Sequence, residues 1–502
     1  MVFKSGVGIG FKSPSIPLLQ RGRLYAFFRS HVEYGNEDES ITCFGYAGAM
    51  KNIFRCVLLF IVIGLTGCVA HFPVNPPLSE ATSAAPYYLH QQRGFDRSPE
   101  LLVVLAFSGG GMRASALSYG VLKTLAETPI NWRGRPRKLA DEIDLISSVS
   151  GGSFTAAYFG LKGYRLFDDY ETKFLKHDVE GVLFTRLFNP MRWFKLSSPY
   201  YDRSEMAEEY YDEILFHGAT FSDLVGRPGP AILINATDLT IGTGFGFHQE
   251  QFDWMCSSVS DFPISRAVTA SSAVPGLFSA VTVFNYGGQC DDRSPQWMRS
   301  DDLKNSPELQ PLARKVSSYL DSRERPYIHL MDGGLADNLG LRAVMEQVAM
   351  HGGAEQTLDD FDLKNTRKIL VIVVNAAAAP NIDINKKKNP PTAFFSIDAA
   401  TTVQINLYND ETINRFRENV KRWKDEISLA RCGKIACKNG VDFYFVNASL
   451  ADLKDKNERK LLQELPTTFS LESDEVDRLV KAADELLRNS AEFQKFLSDV
   501  SH

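Results

Sequence analysis

The sequence of 502 residues has no excess of basic side chains, because 55 Lys and Arg stand against 61 Asp and Glu. A net charge of −6 gives no electrostatic reason to bind nucleic acid, which attracts proteins chiefly through its phosphates. Hydrophobic residues make up 44% and charged residues 23%, an ordinary globular composition. It excludes a wholly disordered chain, a collagen-like repeat and a polytopic membrane protein. We therefore expect no nucleic-acid partner.

Near the N-terminus the sequence lacks an apolar run long enough to span a bilayer comfortably. The run there, Val57–Leu65, has nine residues and follows the basic residues Lys51 and Arg55. A short apolar core behind a basic region is typical of a signal peptide. We therefore predict a signal peptide over residues 50–67, with Met50 as the true start of the protein.

The end of this segment, Leu65-Thr66-Gly67-Cys68, resembles a bacterial lipobox, in which the cysteine becomes the lipidated first residue. The resemblance implies that Cys68 carries a lipid and that residues 1–49 are an over-extended reading frame. Val69 follows in place of Asp, which in Gram-negative lipoproteins leaves the protein free to reach the outer membrane. A chance apolar stretch or an uncleaved anchor helix is the alternative. We expect a lipid-anchored protein of the cell envelope, held at the membrane by lipid and apolar surface.

Cysteines are few beyond this leader, and none of them has the CxxC spacing of a zinc site. An even number of cysteines in an exported protein permits disulfides. Cys432 and Cys437 are close enough in sequence to close a small loop, which leaves Cys256 and Cys290 as the residual pair. We favour disulfides over a zinc site and predict no metal.

Buried strands alternate with helices over the rest of the chain, which predicts an α/β domain with a mostly parallel central sheet. Residues 68–100 are rich in Pro, Ser and Ala and are interpreted as a tether from the lipid to this domain. The main domain is predicted over residues 101–376, and a helical C-terminal extension, residues 377–502, is expected to pack on it. The predicted strands are 101–107, 143–150, 231–239, 328–332 and 368–376, and the predicted helices include 113–127, 153–163, 401–427 and 473–489.

The second predicted strand runs directly into Ser150-Gly151-Gly152 and a helix. A serine at the end of a buried strand, followed by small residues and a helix, is typical of a nucleophile elbow. The helix N-terminus behind Ser150 offers free backbone N–H groups that favour developing negative charge, and Gly151 is therefore a further candidate oxyanion or substrate-binding residue. Ser148 stands where the usual GxSxG pattern has glycine, and serine is small enough for the turn. A common strand–helix turn without catalytic meaning is the alternative.

The first predicted strand ends in a glycine-rich sequence, Ser108-Gly109-Gly110-Gly111-Met112-Arg113. Successive glycines between a strand and a helix let backbone N–H groups turn toward a ligand. No Gly-Lys-Ser/Thr follows, so the loop is not a Walker nucleotide site. A tight connection is one interpretation, and an oxyanion hole with Arg113 as an added positive group fits better.

The sequence also lacks a histidine at a position typical of the base of a Ser–His–Asp triad. Asp332 ends the predicted strand 328–332 and precedes Gly333 and Gly334, a position where α/β folds build sites. Only His351 and His502 follow it, and neither lies at a predicted strand end with turn glycines. A Ser–His–Asp triad is therefore poorly supported. We instead expect Asp332 to act directly as the base for a serine nucleophile.

These three motifs, GGGMR, SVSGG and DGG in that order, resemble the patatin-like phospholipase family over roughly residues 101–345. The blocks 235–247 and 262–281 resemble the family as well. The resemblance implies a three-layer α/β/α fold that hydrolyses acyl esters of lipids with no metal or cofactor. It further implies that Ser150 is the nucleophile and Asp332 its dyad partner. The oxyanion site carried over from the family is Gly109, Gly110, Gly111 and Arg113.

The expected function is therefore that of a lipid acyl hydrolase acting on phospholipids or lysophospholipids through a Ser–Asp dyad. An acyltransferase using the same acyl-enzyme, and a catalytically silent lipoprotein scaffold of the envelope, remain alternatives. Residues 183–204 carry many aromatics and are either an irregular loop packed on the core or a membrane-facing lip over the site. The small, apolar residues 270–278 either pack the fold or line an acyl-chain pocket.

Overall fold

The structure is a computed structural model that describes most of the chain after residue 74. The predicted signal peptide 50–67, the lipidation site Cys68 and the N-terminal segment 1–49 lie outside the described residues. Within the described part, no helix is both long and apolar enough to cross a membrane. The described residues are 75–80, 85–92, 94, 96–196, 198, 201–299, 303, 309–379, 386, 388, 393–435, 437 and 439–501.

The central sheet has the order β10-β9-β1-β4-β5-β8-β7, with β6 forming a hairpin with β5. Neighbouring strands from β10 to β5 are parallel. At the other edge, β8 pairs antiparallel with β5, and β7 pairs antiparallel with β8. The mostly parallel sheet is confirmed, and the five predicted strands end within one residue of their observed bounds. The strands are β1 (Leu101–Phe107), β2 (Pro129–Trp132), β3 (Arg135–Lys138), β4 (Ile143–Val149), β5 (Ala231–Asp238), β6 (Thr243–Gly246), β7 (Val281–Phe284), β8 (Tyr327–Met331), β9 (Lys368–Asn375) and β10 (Asp442–Ser449).

Helices cover both faces of the sheet, because its strands bury alternate residues on opposite sides. In β1, Val103 and Leu105 belong to one core cluster and Val104 and Ala106 to a second. Three layers result. The helices are α1 (Gly111–Glu127), α2 (Gly151–Lys162), α3 (Leu166–Tyr170), α4 (Val179–Leu187), α5 (Pro190–Leu196), α6 (Arg203–Tyr211), α7 (Gln249–Trp254), α8 (Ile264–Ser271), α9 (Leu309–Tyr319), α10 (Gly334–Asp337), α11 (Leu341–Met350), α12 (Ala354–Asp360), α13 (Ala393–Cys432), α14 (Lys456–Glu464), α15 (Ser473–Arg488) and α16 (Ala491–Val500).

The C-terminal part, predicted as an extension packed on the outside of the domain, also contributes a strand to the central sheet. β10 pairs in parallel with β9 along its whole length and forms the edge of the sheet. The helix α15 lies so close to α1 that a Cβ added at Gly120 would meet the Cβ of Ala483 at 2.7 Å. The sheet therefore cannot be completed by residues 101–376 alone.

The predicted tether is packed on the domain wherever the structure describes it. Tyr87 is fully buried, and its hydroxyl donates to the carbonyl of Ile232 and accepts from the N–H of the same residue. Upstream, the Asn75 amide donates to the hydroxyl of Ser257 at 2.8 Å. A buried tyrosine with both hydrogen-bonding roles satisfied fixes the chain around it. Residues 75–80 and 85–92 therefore form a packed arm instead of a free tether.

The described residues include four cysteines, and the structure pairs all of them as disulfides. Cys256 is bonded to Cys290, and Cys432 is bonded to Cys437. The first bond ties the end of α7, against which the packed arm lies, to a loop before α9. The second closes a small loop after α13.

Candidate active site

Ser150 lies between β4 and α2 in a backbone conformation that only a special environment maintains. Its φ is +50° and its ψ is −123°, in the left-handed half of the map that residues with side chains rarely adopt. The two following glycines leave room for this turn. A Cβ at Gly151 would lie 2.0 Å from the carbonyl oxygen of Gly111, and one at Gly152 would lie 2.7 Å from that of Ser108. The turn therefore presents Ser150 at the carboxyl edge of the parallel sheet.

Asp332 follows β8 and lies directly against this serine. The Ser150 hydroxyl donates to Asp332 Oδ2 at 2.8 Å, and the N–H of Gly334 donates to Oδ1 at 2.7 Å. The backbone N–H of Asp332 in turn donates to the carbonyl of Ala273 at 2.9 Å. Sequence reasoning placed these two side chains in one site, and the structure brings them together; their catalytic roles stay predictions.

Burial makes this carboxyl a better base than an ordinary aspartate. Asp332 is 9% exposed and Ser150 is 4% exposed. Desolvation raises the pKa of Asp332 from 3.8 to about 6, although the hydrogen bonds from Gly334 and Ser150 oppose the shift. A general base is most useful when its pKa lies near the working pH. Among the described residues, no histidine forms a hydrogen bond to either side chain.

Ser271, the last residue of α8, holds the nucleophile turn, whereas the sequence suggested only that the block 270–278 around it packs the fold or lines an acyl-chain pocket. Its hydroxyl accepts from the backbone N–H of Ser150 at 2.8 Å and donates to the carbonyl of Asn235 at 2.6 Å. Ser153 also contacts this hydroxyl at 2.9 Å. The carbonyl of Ser271 accepts from the N–H of Gly333, beside Asp332, at 3.0 Å. One residue therefore supports both halves of the Ser–Asp pair.

The glycine-rich loop lies across the nucleophile turn, but its three glycines differ in role. The N–H of Gly109 donates to the carbonyl of Asn338 at 2.9 Å, so it is not free for a ligand. A Cβ at Gly109 would lie 3.3 Å from that of Ser150, so this glycine provides space. Gly110 and Gly111, with φ of +137° and +60°, open the first turn of α1, where N–H groups have no intrahelical acceptor. These two glycines are the loop's candidate oxyanion donors.

Arg113 does not take the part in the oxyanion site that the sequence suggested. The guanidinium is 1% exposed and binds the end of β9 and the C-terminal chain. Its Nε donates to the carbonyl of Ala376 at 2.8 Å, and its terminal nitrogens donate to the carbonyl of Leu465 and the hydroxyl of Thr467. Burial lowers its pKa to about 10. The group fixes the segment beside the glycine loop and makes no hydrogen bond to Ser150 or Asp332.

The C-terminal segment 465–470 closes over the glycine loop as a result. The N–H of Met112 donates to the carbonyl of Thr468 at 2.8 Å. The ring of Phe469 packs edge-on against Phe154 of α2, with the ring centroids 5.7 Å apart. We call residues 465–470 the strap. Sequence reasoning missed it because its contacts join parts of the chain more than 300 residues apart.

The described part of the chain shows no group of three or more His, Cys, Asp or Glu side chains placed to hold a metal ion. Two polar groups and a pair of backbone N–H groups make up the site. The hydroxyl of Ser150, the carboxylate of Asp332 and these N–H groups can together activate a nucleophile and stabilise an oxyanion.

Comparison with known proteins finds similar structures and one matching family model. The chain is similar to human GIVD cytosolic phospholipase A2, with 10% identity over 82% of this chain and a TM-score of 0.42. It spans 64% of the length of that human protein. It is also similar to VipD from Legionella pneumophila, with 11% identity over 81% of this chain and 72% of that one, and a TM-score of 0.23. No curated protein matches the chain. Residues 105–345 match the model of the patatin-like phospholipase family.

Proposed function

We propose that this protein hydrolyses acyl esters of phospholipids or lysophospholipids through a Ser150–Asp332 dyad. The observation that carries the proposal is the 2.8 Å hydrogen bond from the Ser150 hydroxyl to Asp332, inside the range that matches the model of the patatin-like phospholipase family. The strained serine turn, its two glycines and the buried carboxylate are features that a scaffold has no need of.

In the first half of the reaction, Asp332 accepts the proton of Ser150 as the serine oxygen attacks the ester carbonyl. The negative charge that develops on the carbonyl oxygen is stabilised by the N–H groups of Gly110 and Gly111. The tetrahedral intermediate collapses when the carbon–oxygen bond to the leaving alcohol breaks. Asp332 returns the proton to that alcohol, and the acyl group remains on Ser150.

In the second half, water replaces the alcohol. Asp332 accepts a proton from the water, which attacks the acyl carbonyl and forms a second tetrahedral intermediate. When the bond to Ser150 breaks, the proton returns to the serine oxygen and the fatty acid leaves. The same acyl-enzyme would serve an acyltransferase if an alcohol took the place of water.

The proposal includes attachment of the protein to the cell envelope through a lipid on Cys68, with the outer membrane as the destination. Its support is the lipobox-like sequence before that cysteine and the Val69 that follows. Mass spectrometry of the protein made in a Gram-negative host tests this part, since an acylated N-terminal Cys68 is expected. An unmodified chain that retains residues 50–67 would contradict it.

The test of the activity is fatty-acid release from phosphatidylcholine, phosphatidylglycerol and their lyso forms. The native protein is compared with Ser150→Ala, and both are treated with a fluorophosphonate probe. We expect release and probe labelling by the native protein alone. Added glycerol distinguishes transfer from hydrolysis, because an acyltransferase would form acylglycerol. Absence of both release and labelling would overturn the proposal in favour of a silent scaffold.

A further inference from the structure

A cavity separate from the Ser–Asp pair lies between the β5–β6 hairpin and the helices α7, α9, α10 and α11. Its volume is about 260 Å³, and neither Ser150 nor Asp332 lines it. Leu233, Trp254 and Met345 are among the apolar side chains that form much of its wall. Sites for small molecules are typically cavities with apolar walls and a few polar groups that fix the ligand. We call this space the hairpin cavity.

Three buried polar side chains that line the hairpin cavity each have an atom without a hydrogen-bond partner among the described residues. The atoms are Gln251 Nε2, Gln347 Oε1 and Asp337 Oδ1. The three residues are only 1%, 7% and 5% exposed, in that order. Buried polar groups nearly always have partners, because taking them out of water without one costs free energy. Unpartnered atoms from three helices around one cavity therefore point to a polar ligand.

The neighbouring atoms of two of these side chains are already bound, which holds the unpartnered atoms in place. Asp337 Oδ2 accepts from the backbone N–H of Ala343 at 3.0 Å. Gln347 Nε2 lies 3.4 Å from Nε2 of His248, which can accept from it because burial lowers the pKa of that histidine to about 4 and keeps the ring neutral. A site whose groups are fixed in advance loses little entropy when a ligand binds.

The charged side chains that line the hairpin cavity balance one another. Lys315 donates to Glu346 at 2.9 Å. Burial raises the pKa of Asp337 to about 6, and the nearby positive charge of Arg342 opposes that shift. Arg415, the remaining charged residue of the lining, is exposed to solvent. Because an ion inside the cavity would lack an uncompensated charge to pair with, the lining favours a neutral ligand.

We propose that the hairpin cavity binds a small neutral polyol. Gln347 Oε1 and Asp337 Oδ1 accept hydrogen bonds, whereas Gln251 Nε2 donates one. A hydroxyl group can donate and accept, so several hydroxyls on one carbon skeleton match this mixed set, and the C–H groups of the skeleton contact the apolar wall. A volume of 260 Å³ is below the usual range for drug-sized ligands, which points to about three to six carbon atoms. The inference goes beyond the proposed function and does not depend on it.

Binding is measured by saturation-transfer NMR on the full chain, with glycerol, sorbitol and myo-inositol as probes. We expect saturable binding of at least one of them with a Kd below about 10 mM, far under the concentrations at which polyols act as general osmolytes. Glycerol 3-phosphate is the anionic comparison. It should bind more weakly than glycerol, because the cavity offers no unbalanced positive charge to its phosphate.

The variants Gln251→Met and Gln347→Met each remove one unpartnered atom and keep a side chain of similar length. Each should weaken polyol binding by about 10-fold, as expected for the loss of one hydrogen bond. Without ligand, Gln251→Met should resist denaturant as well as the native protein or better, because a buried donor no longer lacks a partner. A residue with a purely structural role would change stability in the opposite direction.

Gln249 provides the matched control, since it lies on the same helix and is 2% exposed but does not line the hairpin cavity. Its amide donates to Asp253 at 2.9 Å and to the carbonyl of Ser257 at 3.0 Å. Gln249→Met should therefore lower stability and leave polyol binding unchanged. The two glutamines of α7 are thus expected to have opposite effects on the two measurements.

Absence of saturable polyol binding by the native protein would overturn the inference, and the cavity would then hold water only. Unchanged binding in both Gln251→Met and Gln347→Met would also overturn it, as would tighter binding of glycerol 3-phosphate than of glycerol. Gln347→Met decides the matter alone should Gln251→Met fail to fold. If the native protein hydrolyses no ester, the proposed function fails, while polyol binding still decides the role of the hairpin cavity.

Discussion

At the scale of single residues, the pKa of Asp332 sets how the activity depends on pH. The base has to be ionised to accept the serine proton, and burial places its pKa at about 6. Activity should therefore be nearly full at pH 7.5 and fall as the pH falls through about 6. The measurement is kcat/KM for a soluble ester between pH 4.5 and 8.5. A profile that stays flat down to pH 5 would remove Asp332 from the role of base.

The substitution Asp332→Asn adds a control to this profile. The amide is nearly the same size and cannot accept a proton at these pH values, so a loss of at least about 100-fold is expected at pH 7.5, as general bases typically supply. The difference from the native protein should narrow below pH 6, where Asp332 of the native protein is itself protonated. The variant should keep its fold, because Asn can still accept from the N–H of Gly334. Native thermal unfolding together with unchanged activity would contradict the dyad.

Ser271 is expected to act on the rate through position, because its hydroxyl fixes the backbone N–H of a serine with φ of +50°. Ser271→Ala should lower kcat by about 10- to 100-fold and leave KM for a short ester nearly unchanged, since misplacement of reacting groups costs rate. It should also move the acidic limb of the pH profile upward, because a displaced Ser150 no longer lowers the pKa of Asp332.

The neighbouring Ser272 provides the matched control for this variant. It is equally buried, but its hydroxyl donates to carbonyls of its own helix, those of Val268 and Thr269. Ser272→Ala should change stability slightly and leave the pH profile where it is. Equal kinetic effects of the two substitutions would show that loss of a buried hydroxyl, and not the contact with Ser150, accounts for the rate.

At the scale of elements, the sequence predicted the positions of buried strands, which depend on local patterns. It did not predict how strands pair in the sheet, because pairing depends on distant parts of the chain. The apolar runs of β1, β4, β5, β8 and β9 mark buried strands wherever they lie in the sheet, and all were found. The antiparallel direction of β8 depends on its contact with β5 and leaves no local signal. β10 escaped prediction because its residues are alternately half-buried and buried, which is typical of an edge strand.

The residues of the candidate site likewise divide into those with a local sequence signal and those whose role depends on distant contacts. Ser150, Asp332 and the glycines carry turn and motif signals of their own, so they could be chosen from the sequence. Ser271 could not, because a serine at the end of a helix is common and its importance comes from a residue 121 positions away. The structure does not bring Arg113 to the oxyanion site for a related reason: its acceptors, Ala376, Leu465 and Thr467, lie more than 260 positions downstream and leave no local signal.

The contact between α1 and α15 is the element interface most sensitive to a single substitution. A Cβ at Gly120 would lie 2.7 Å from that of Ala483 and 2.8 Å from the carbonyl of Val480. Gly120→Ala should therefore lower the free energy of unfolding by about 1–3 kcal/mol through overpacking, despite the better helix propensity of alanine. Chemical denaturation measures this difference.

Two further variants distinguish overpacking from a general effect of alanine. Ala483→Gly should cost less stability in the Gly120→Ala background than in the native protein, because there it also removes one of the three atoms within 3.0 Å of the added Cβ. Gly244→Ala in β6 meets nothing within 4 Å and should be nearly neutral. A loss of stability at Gly244 as large as that at Gly120 would show that the helix contact is not the cause.

At the scale of the whole molecule, the two disulfides should contribute unequally to stability. In the loop-entropy account, a cross-link stabilises the fold by restricting the unfolded chain, and more so when it closes a longer loop. Cys256–Cys290 spans 34 positions and Cys432–Cys437 only 5. The expected contributions are about 4 kcal/mol for the first bond and about 2 kcal/mol for the second.

The measurement is denaturant unfolding of two variants, Cys256→Ser with Cys290→Ser and Cys432→Ser with Cys437→Ser. The first pair should have the larger effect for a second reason, because the N–H of Leu78 in the packed arm donates to the carbonyl of Cys256 at 2.7 Å. Loosening that turn should release the arm and make it sensitive to proteases. Equal losses in the two variants, with the arm still protected, would contradict the loop-entropy account.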